Sequence, residues 1–389
     1  MFTDKNNKFT YLGGLFMLNI ESKAPFSADI VGSFLRPNYL KEARQQYKEN
    51  LISDKELTAI EDKAILELVN KELALNLPVV TDGEFRRSYW HLDFLAELVG
   101  INKVSAQTWS VHFEGAQPKA ATIKIVDKID FGDHSFINHF KYLNEIVKDK
   151  ALSKLTIPSP SMLHLICCVR EENYTPIDIY KNEDNLFADI TKAYQKAILA
   201  FYDAGCRYLQ LDDTSWGEFC DINKREAYKN RGIDVDVIGQ KYVSMINDIL
   251  KVVPNDMTIT MHVCRGNFRS TWFSSGGYEP IAQILFKHCQ VDGFFLEYDS
   301  NRSGDFSPLR FIQKQKVVLG LITSKSPQLE AKEDIIQRIY EASKFVPLNQ
   351  LCLSSQCGFA STEEGNLLTE EEQWAKIKLV QTIAKEVWG

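Results

Sequence analysis

Eight apolar, β-rich runs recur along this chain with helix-length segments between them, and that alternation constrains the fold more than any other feature. The runs are ADIVGSF (28–34), LPVVTDGE (77–84), TIPSPSML (156–163), YLQLDD (208–213), TITMHVC (258–264), GFFLEYD (293–299), KVVLGLI (316–322) and LCLSSQC (351–357). Strand, helix and strand following one another without long gaps imply right-handed crossovers and a parallel sheet. Eight is the number of strands that closes a parallel barrel. The first long helical segment, Ser53 to Asn76, opens on a capping box of Ser53 and Glu56 and places Leu57, Ile60, Ala64 and Leu68 on one face. Segments 183–204, 234–251, 328–345 and 369–387 are also helical in pattern. Residues 105–129 alternate instead like a hairpin, with Trp109, Val111 and Phe113 followed by Ile123, Ile125 and Val126. The expectation is an α/β fold: a single (β/α)8 TIM barrel over residues 25–389, with a β-hairpin insertion after strand 2 lying over the barrel mouth. Residues 1–24 read as a flexible N-terminal extension, with Met17 an alternative start.

In a parallel barrel the chemistry collects at the C-terminal ends of the strands. Here those ends read Gly32-Ser33, Asp82-Gly83-Glu84, Ser159-Ser161, Asp212-Asp213, His262-Cys264, Glu297-Asp299, Thr323-Lys325 and Cys357. His262 and Cys264 are two residues apart at the end of a strand, so both side chains point the same way. Taken singly each residue has a plain structural use: Asp82 or Asp212 as a helix cap, Ser33 as a turn cap, Glu297 paired with Arg265 or Arg302, Cys357 as a packed thiol. Taken jointly, His262, Cys264, Glu297 and Cys357 end the fifth, sixth and eighth runs and supply one nitrogen, two sulfurs and one oxygen. That set matches a tetrahedral zinc sphere. Two thiolates and a carboxylate would leave a net charge of about −1 around Zn2+, which suits activation of a substrate thiol better than activation of water.

Composition narrows the field. With 44% hydrophobic and 25% charged residues, the chain has the balance of a soluble globular enzyme. A net charge of −7 argues against a nucleic-acid partner, and the absence of any apolar run of about 18 residues argues against a membrane span. Eight cysteines in a chain of this length with no export signal read as thiols, not as a disulfide framework, and the expected location is cytoplasmic.

The motifs resemble the catalytic, C-terminal half of cobalamin-independent methionine synthase, from about Asp29 to the C-terminus. VGSFLRP (31–37) looks like the family's homocysteine-binding segment, TDGEFRRSYW (81–90) is similar to its GE-x-x-R motif, and LQLDD (209–213) with Glu218 resembles its I-D-E-P segment. HVCRGN, FFLEYD and SQCGFAS correspond to its zinc-ligand segments. The resemblance implies a zinc-bound homocysteine thiolate that attacks a methyl group, so the expected partners are small-molecule substrates: homocysteine or a related thiol, and a methyl donor. It implies His262, Cys264, Glu297 and Cys357 as zinc ligands. Val31, Gly32 and Ser33 would hold the substrate carboxylate, and Glu84 and Asp212, with Glu218 close by, its ammonium. Lys325 stands where the family has a proton-donating His, and Thr323 where it has an Asp. The family's folate-contacting Arg-Cys pair has no counterpart around FEGAQPKAA (113–121), its folate-stacking Trp falls near Leu165, and its N-terminal barrel is not matched. The expected activity is zinc-dependent S-methylation of homocysteine, with 5-methyltetrahydrofolate or another methyl carrier as donor.

Two other readings stay open on the residues alone. A metal-independent decarboxylase of the uroporphyrinogen decarboxylase type would use Arg86, Arg87 and Arg265 to bind carboxylates. A non-catalytic zinc- or thiol-binding protein would need only the four-ligand cluster.

Overall fold

The computed structural model describes residues 23–105 and 121–389. In chain order the strands are Val79–Val80 (β1), Val99–Ser105 (β2), Ala121–Asp130 (β3), Leu152–Pro158 (β4), Tyr208–Asp213 (β5), Thr258–Val263 (β6), Gly293–Glu297 (β7), Lys316–Ile322 (β8) and Leu351–Ser355 (β9). Seven of them form one parallel sheet in the order β1-β4-β5-β6-β7-β8-β9. β5, β6, β7 and β9 are buried along their whole length, as expected where helices cover one face and the sheet curls over the other.

The run expected as the first strand forms no regular ladder. It makes isolated parallel bridges instead, Ala28 with Leu353 and Ser33 with Gly83, so it touches both edges of the sheet. Local chemistry accounts for this. The Asp29 carboxylate accepts from the N–H groups of Phe26 (3.1 Å) and Ile30 (2.8 Å), which competes with strand pairing, and Gly32 has φ of +155°. The second run is also shortened, to Val79–Val80.

β2 and β3 pair antiparallel as a separate ribbon, starting earlier than the alternation suggested. β3 packs along helix Glu183–Asp203, beside the sheet. Ile123 is buried, Ile125 half-buried and Val126 exposed. Trp109, Val111 and Phe113 lie outside the described residues, as do residues 1–22 of the expected extension.

The helices follow their caps. Ser53 and Glu56 close the capping box on Asp54–Ala74, and Thr369 and Glu372 close another on Glu370–Trp388. Ala64 and Leu68 are buried and Leu57 and Ile60 half-buried on the first of these. Glu183–Asp203, Val235–Leu250 and Lys332–Ala342 fall within their expected windows. Among the described residues no helix is long and apolar enough to cross a membrane.

Two cores result. The large one fills the space between sheet and helices, whereas Val31, Phe295, Val318 and Cys352 form a small cluster of their own. Nearby, the fully buried Lys154 ammonium donates to Asp29 (3.2 Å), whose other oxygen accepts from the Tyr208 hydroxyl (3.0 Å). Lys154 and Asp29 thus partner each other, as burial of charge demands.

Candidate metal centre and adjoining cavity

β5 and β6 run side by side with Asp212 level with His262, which sets two ionisable side chains next to each other. His262 and Cys264 share a side because they are two residues apart, Glu297 is the last residue of β7, and Cys357 follows the end of β9. All four expected ligands are buried, and their donor atoms lie within 4.8 Å of one another.

The geometry fits a metal ion. The Cys264 and Cys357 sulfurs are 3.8 Å apart. Two thiolates at about 2.3 Å from a tetrahedral zinc would stand about 3.8 Å apart. His262 Nε2 lies 3.9 Å from Glu297 Oε1 and is buried with no hydrogen-bond partner among the described residues. An orphaned buried nitrogen facing two sulfurs and a carboxylate is what a ligand set without its ion looks like. The other ring nitrogen, Nδ1, is 3.3 Å from Asp212 Oδ1, and donation to that carboxylate leaves the Nε2 lone pair free to coordinate.

Electrostatics agree. Burial pulls the His262 imidazole down, but its Asp212 hydrogen bond and the negative charge of Cys357, Asp212 and Glu297 outweigh this and lift it to about 9. A cation is wanted at this point, and without a metal a proton supplies it. The Cys264–Cys357 hydrogen bond is the largest influence on both thiols, raising Cys264 and lowering Cys357. Burial opposes ionisation of Glu297, yet Arg302, Lys325 and His262 together hold its carboxyl below the usual range. Glu297 Oε1 also accepts from Arg265 N–H (2.9 Å), and Oε2 from Arg302 Nη2 (2.8 Å).

A cavity opens beside the cluster. Of the expected substrate-binding residues, Val31, Ser33, Glu84 and Asp212 line it, together with His262, Cys264 and Cys357. Gly32 stands just behind, where a Cβ would come within 2.7 Å of Thr156 Cγ2 and 3.5 Å of Glu84 Oε1. Glu218 is not brought to this cavity. Its buried carboxylate is held by Arg170 Nε (2.9 Å) and by the Tyr228 hydroxyl.

Glu84 has φ of +60°, an uncommon conformation for a residue with a side chain, and it aims the carboxylate inward. Oε1 accepts from the Thr156 hydroxyl (2.9 Å) and lies 3.6 Å from Arg87 Nη1. Burial raises the Glu84 carboxyl and Asp212 adds to this, against the opposing pull of Arg87. Ser33 Oγ accepts from Ala360 N–H (3.2 Å), which ties the first segment to the loop carrying Cys357.

Sequence reasoning singled out neither Trp90, Gly358 nor Ser361 as cavity walls, although each lies inside a quoted motif. It also missed Gln210, whose Nε2 donates to both Val31 O (2.8 Å) and Asp212 Oδ1 (2.7 Å). Its position two residues before Asp212 on the same strand face was the available signal. Lys325 Nζ donates to Asn267 Oδ1 (2.8 Å) and Gly266 O (3.4 Å), beside the Cys264 loop. None of the three arginines that a decarboxylase would need lines the cavity. Arg86 is paired with Glu61 and Asp62, Arg87 donates to Thr156 O (2.7 Å), and Arg265 lies 4.4 Å over the Tyr278 ring. Segment 113–120, where a folate-contacting pair was sought, lies outside the described residues, and Leu165 is fully buried.

A curled parallel sheet with helices outside and polar groups gathered at its strand ends defines an α/β protein of the barrel type. More particularly, the chain belongs to the cobalamin-independent synthase, catalytic domain, family, whose model matches residues 26–385. It is thus a member of a family of methionine synthase-like methyltransferases. The uncharacterized protein YxjH of Bacillus subtilis (strain 168) is 49% identical over 371 residues, covering 95% of this chain and 96% of that protein. A Listeria monocytogenes crystal structure, provisionally named a vitamin-B12 independent methionine synthase, is 42% identical with a TM-score of 0.77, covering 95% of this chain and all of that one. A B12-independent methionine synthase from Shewanella sp. W3-18-1, solved in complex with selenomethionine, shares the fold at 16% identity and a TM-score of 0.67, over 94% and 98% of the two chains.

Proposed function

We propose that this protein is a zinc-dependent methyltransferase that moves a methyl group to the thiol of homocysteine and forms methionine. The donor in this reading is 5-methyltetrahydrofolate or another methyl carrier. Residues 25–389 act as one catalytic unit, a (β/α)8 barrel in which segment 28–34 takes the place of the eighth strand. The observation that carries the proposal is the buried cluster of one imidazole, two thiols and one carboxylate with His262 Nε2 left open, directly beside a cavity lined by carboxylates.

His262, Cys264, Glu297 and Cys357 would hold the ion. When bound, zinc lowers the pKa of an incoming thiol and keeps it as a nucleophilic thiolate at neutral pH. Everything else falls to the chain. Asp212 and Glu84 face the cavity as partners for the substrate ammonium, and Val31, Gly32 and Ser33 would hold its carboxylate. Fixing both ends of the amino acid brings its sulfur toward Cys264 and Cys357. The thiolate forms the new S–C bond as the carrier–methyl bond breaks, and the bonding pair leaves with the carrier. If the carrier is a tertiary amine, its nitrogen needs a proton, and Lys325 is the cation placed beside the Cys264 loop.

The test is metal analysis combined with methyl transfer. Wild-type protein should carry one zinc per chain and convert homocysteine to methionine, and the Cys264→Ala/Cys357→Ala variant should do neither. Zinc-free active wild type, or full zinc occupancy in the double variant, would refute the reading.

A further inference from the structure

We infer that Asp212 serves two bound groups at once: it positions His262 for the metal through Oδ1 and receives the substrate ammonium on Oδ2. The inference rests on the reading above and adds that the metal and amino-acid sites share one carboxylate.

Strand register makes this arrangement. Asp212 and His262 are lateral neighbours in parallel strands, both facing the sheet's inner side, and Oδ1 stands 3.3 Å from His262 Nδ1. Gln210, one pleat below, donates to the same oxygen at 2.7 Å. Gln210 is fully buried and also reaches Val31 O at 2.8 Å, so the carboxylate is held from below by a buried side chain with a second anchor. Oδ1 thus has two donors. Oδ2 has no hydrogen-bond partner among the described residues, and Asp212 lines the cavity. Among the described residues Glu84, the other carboxylate of the cavity, has no hydrogen bond or ion pair with a member of the metal cluster; its carboxylate partners are Thr156 and Arg87.

The consequences for the metal share one sign. Removing Asp212 takes a negative charge away from the cation and frees the imidazole to rotate or to carry its proton on Nε2. Both effects weaken coordination, and loss of such an outer partner costs about 10- to 100-fold in metal affinity. Glu84 carries neither burden. The two carboxylates therefore differ in what their loss does, although both would touch the same ammonium.

The experiment measures zinc affinity by competition with a chromophoric chelator, and homocysteine affinity on the zinc-loaded protein. The variants are Asp212→Ala, Asp212→Asn and Glu84→Gln. Zinc affinity should fall about 10- to 100-fold in Asp212→Ala. Asp212→Asn should recover part of it, because an amide oxygen still accepts from Nδ1, and Glu84→Gln should leave it unchanged. Homocysteine affinity should fall in all three. With Co2+ in place of zinc, the visible spectrum should shift in Asp212→Asn and not in Glu84→Gln, a readout that remains if the Ala variant does not fold. Wild-type zinc affinity in Asp212→Ala, or an unshifted Asp212→Asn spectrum, overturns the inference while leaving the methyltransferase reading intact. Wild type that binds no zinc overturns that reading itself.

Discussion

Replacing Arg302 by Met should cost the metal-free protein much more than the zinc-loaded one. Arg302 Nη2 bridges Glu297 Oε2 (2.8 Å) and Asp299 Oδ1 (3.0 Å), and both carboxylate side chains are almost wholly buried. The guanidinium lies 5.0 Å over the Trp272 ring, so an apolar side chain of similar length can occupy part of its volume. Removing one partner of a buried ion pair costs about 3–5 kcal/mol, because the charge left behind has lost its compensation. Asp299 is already pushed up by burial and can relax by taking a proton, which leaves Glu297 with only Lys325 and His262 to offset its charge. In the loaded protein the ion itself faces Glu297, and the penalty shrinks. By the thermodynamic cycle, the difference between the two penalties equals the gain in zinc binding. If the ion recovers the worth of one charge-assisted hydrogen bond, about 1.5–3 kcal/mol, zinc affinity rises about 10- to 150-fold. Loss of an outer partner usually weakens a site, but here Arg265 N–H still fixes Oε1 at 2.9 Å, so charge should outweigh orientation. Urea unfolding of chelator-treated and zinc-loaded protein, with direct zinc competition, measures both sides of the cycle. A tenfold or greater fall in zinc affinity would show that Arg302 acts by orienting Glu297 and that the charge argument is wrong.

Three further outcomes are expected. Glu72 is fully buried and burial holds its carboxyl well above the ordinary value, with Thr81 N–H (3.2 Å) on one oxygen only. The unfolded chain therefore loses this proton first, and wild-type stability falls as pH rises above the unfolded value, by at most about 1.4 kcal/mol per pH unit. Glu72→Gln should match wild type near pH 4 and exceed it increasingly from pH 5 upward in urea unfolding; parallel pH profiles would contradict this. Gly32→Ala puts a Cβ 2.7 Å from Thr156 Cγ2 at a φ of +155°, a crowding cost of about 1–3 kcal/mol, and should raise the homocysteine KM while zinc content stays normal. Lys325→Ala should slow transfer from methyl-folate more than transfer from a sulfonium or methyl-corrinoid donor, whose leaving group needs no proton; equal slowing with all donors would remove Lys325 as proton source.

Legibility tracked the distance over which each feature is encoded. The β5, β6 and β7 runs, the Ser53–Glu56 box and the His262/Cys264 pair are set by neighbours within four residues, and the structure has them where the pattern put them. Segment 28–34 is apolar enough to read as a strand, but what breaks its ladder is the side chain of Asp29, held by Lys154 from across the sheet. Glu61 and Glu72 sit buried on a helix whose apolar spacing looked conventional. Glu61 is accommodated by Arg44 and Arg86, which no local window contains. Glu218 carries the acidic side chain that its motif suggested, yet Arg170 claims it, and only the packing of helix Ser215–Cys220 against the end of the Leu165–Val169 segment decides that.

Glu297 shows why weighing one role against another by residue type has a limit. Pairing with Arg265 or Arg302 looked like the plain alternative to metal ligation, and the structure has both contacts while keeping Glu297 inside the cluster. The roles are compatible because a carboxylate has two oxygens and about four acceptor sites. Oε2 goes to the guanidinium, and Oε1 takes the Arg265 N–H while facing His262 Nε2 at 3.9 Å. Asp212 divides in the same way, Oδ1 toward His262 and Gln210 with Oδ2 left to the cavity. A buried carboxylate with one spoken-for oxygen is thus not a used-up residue: the partner that fixes one oxygen is what aims the other.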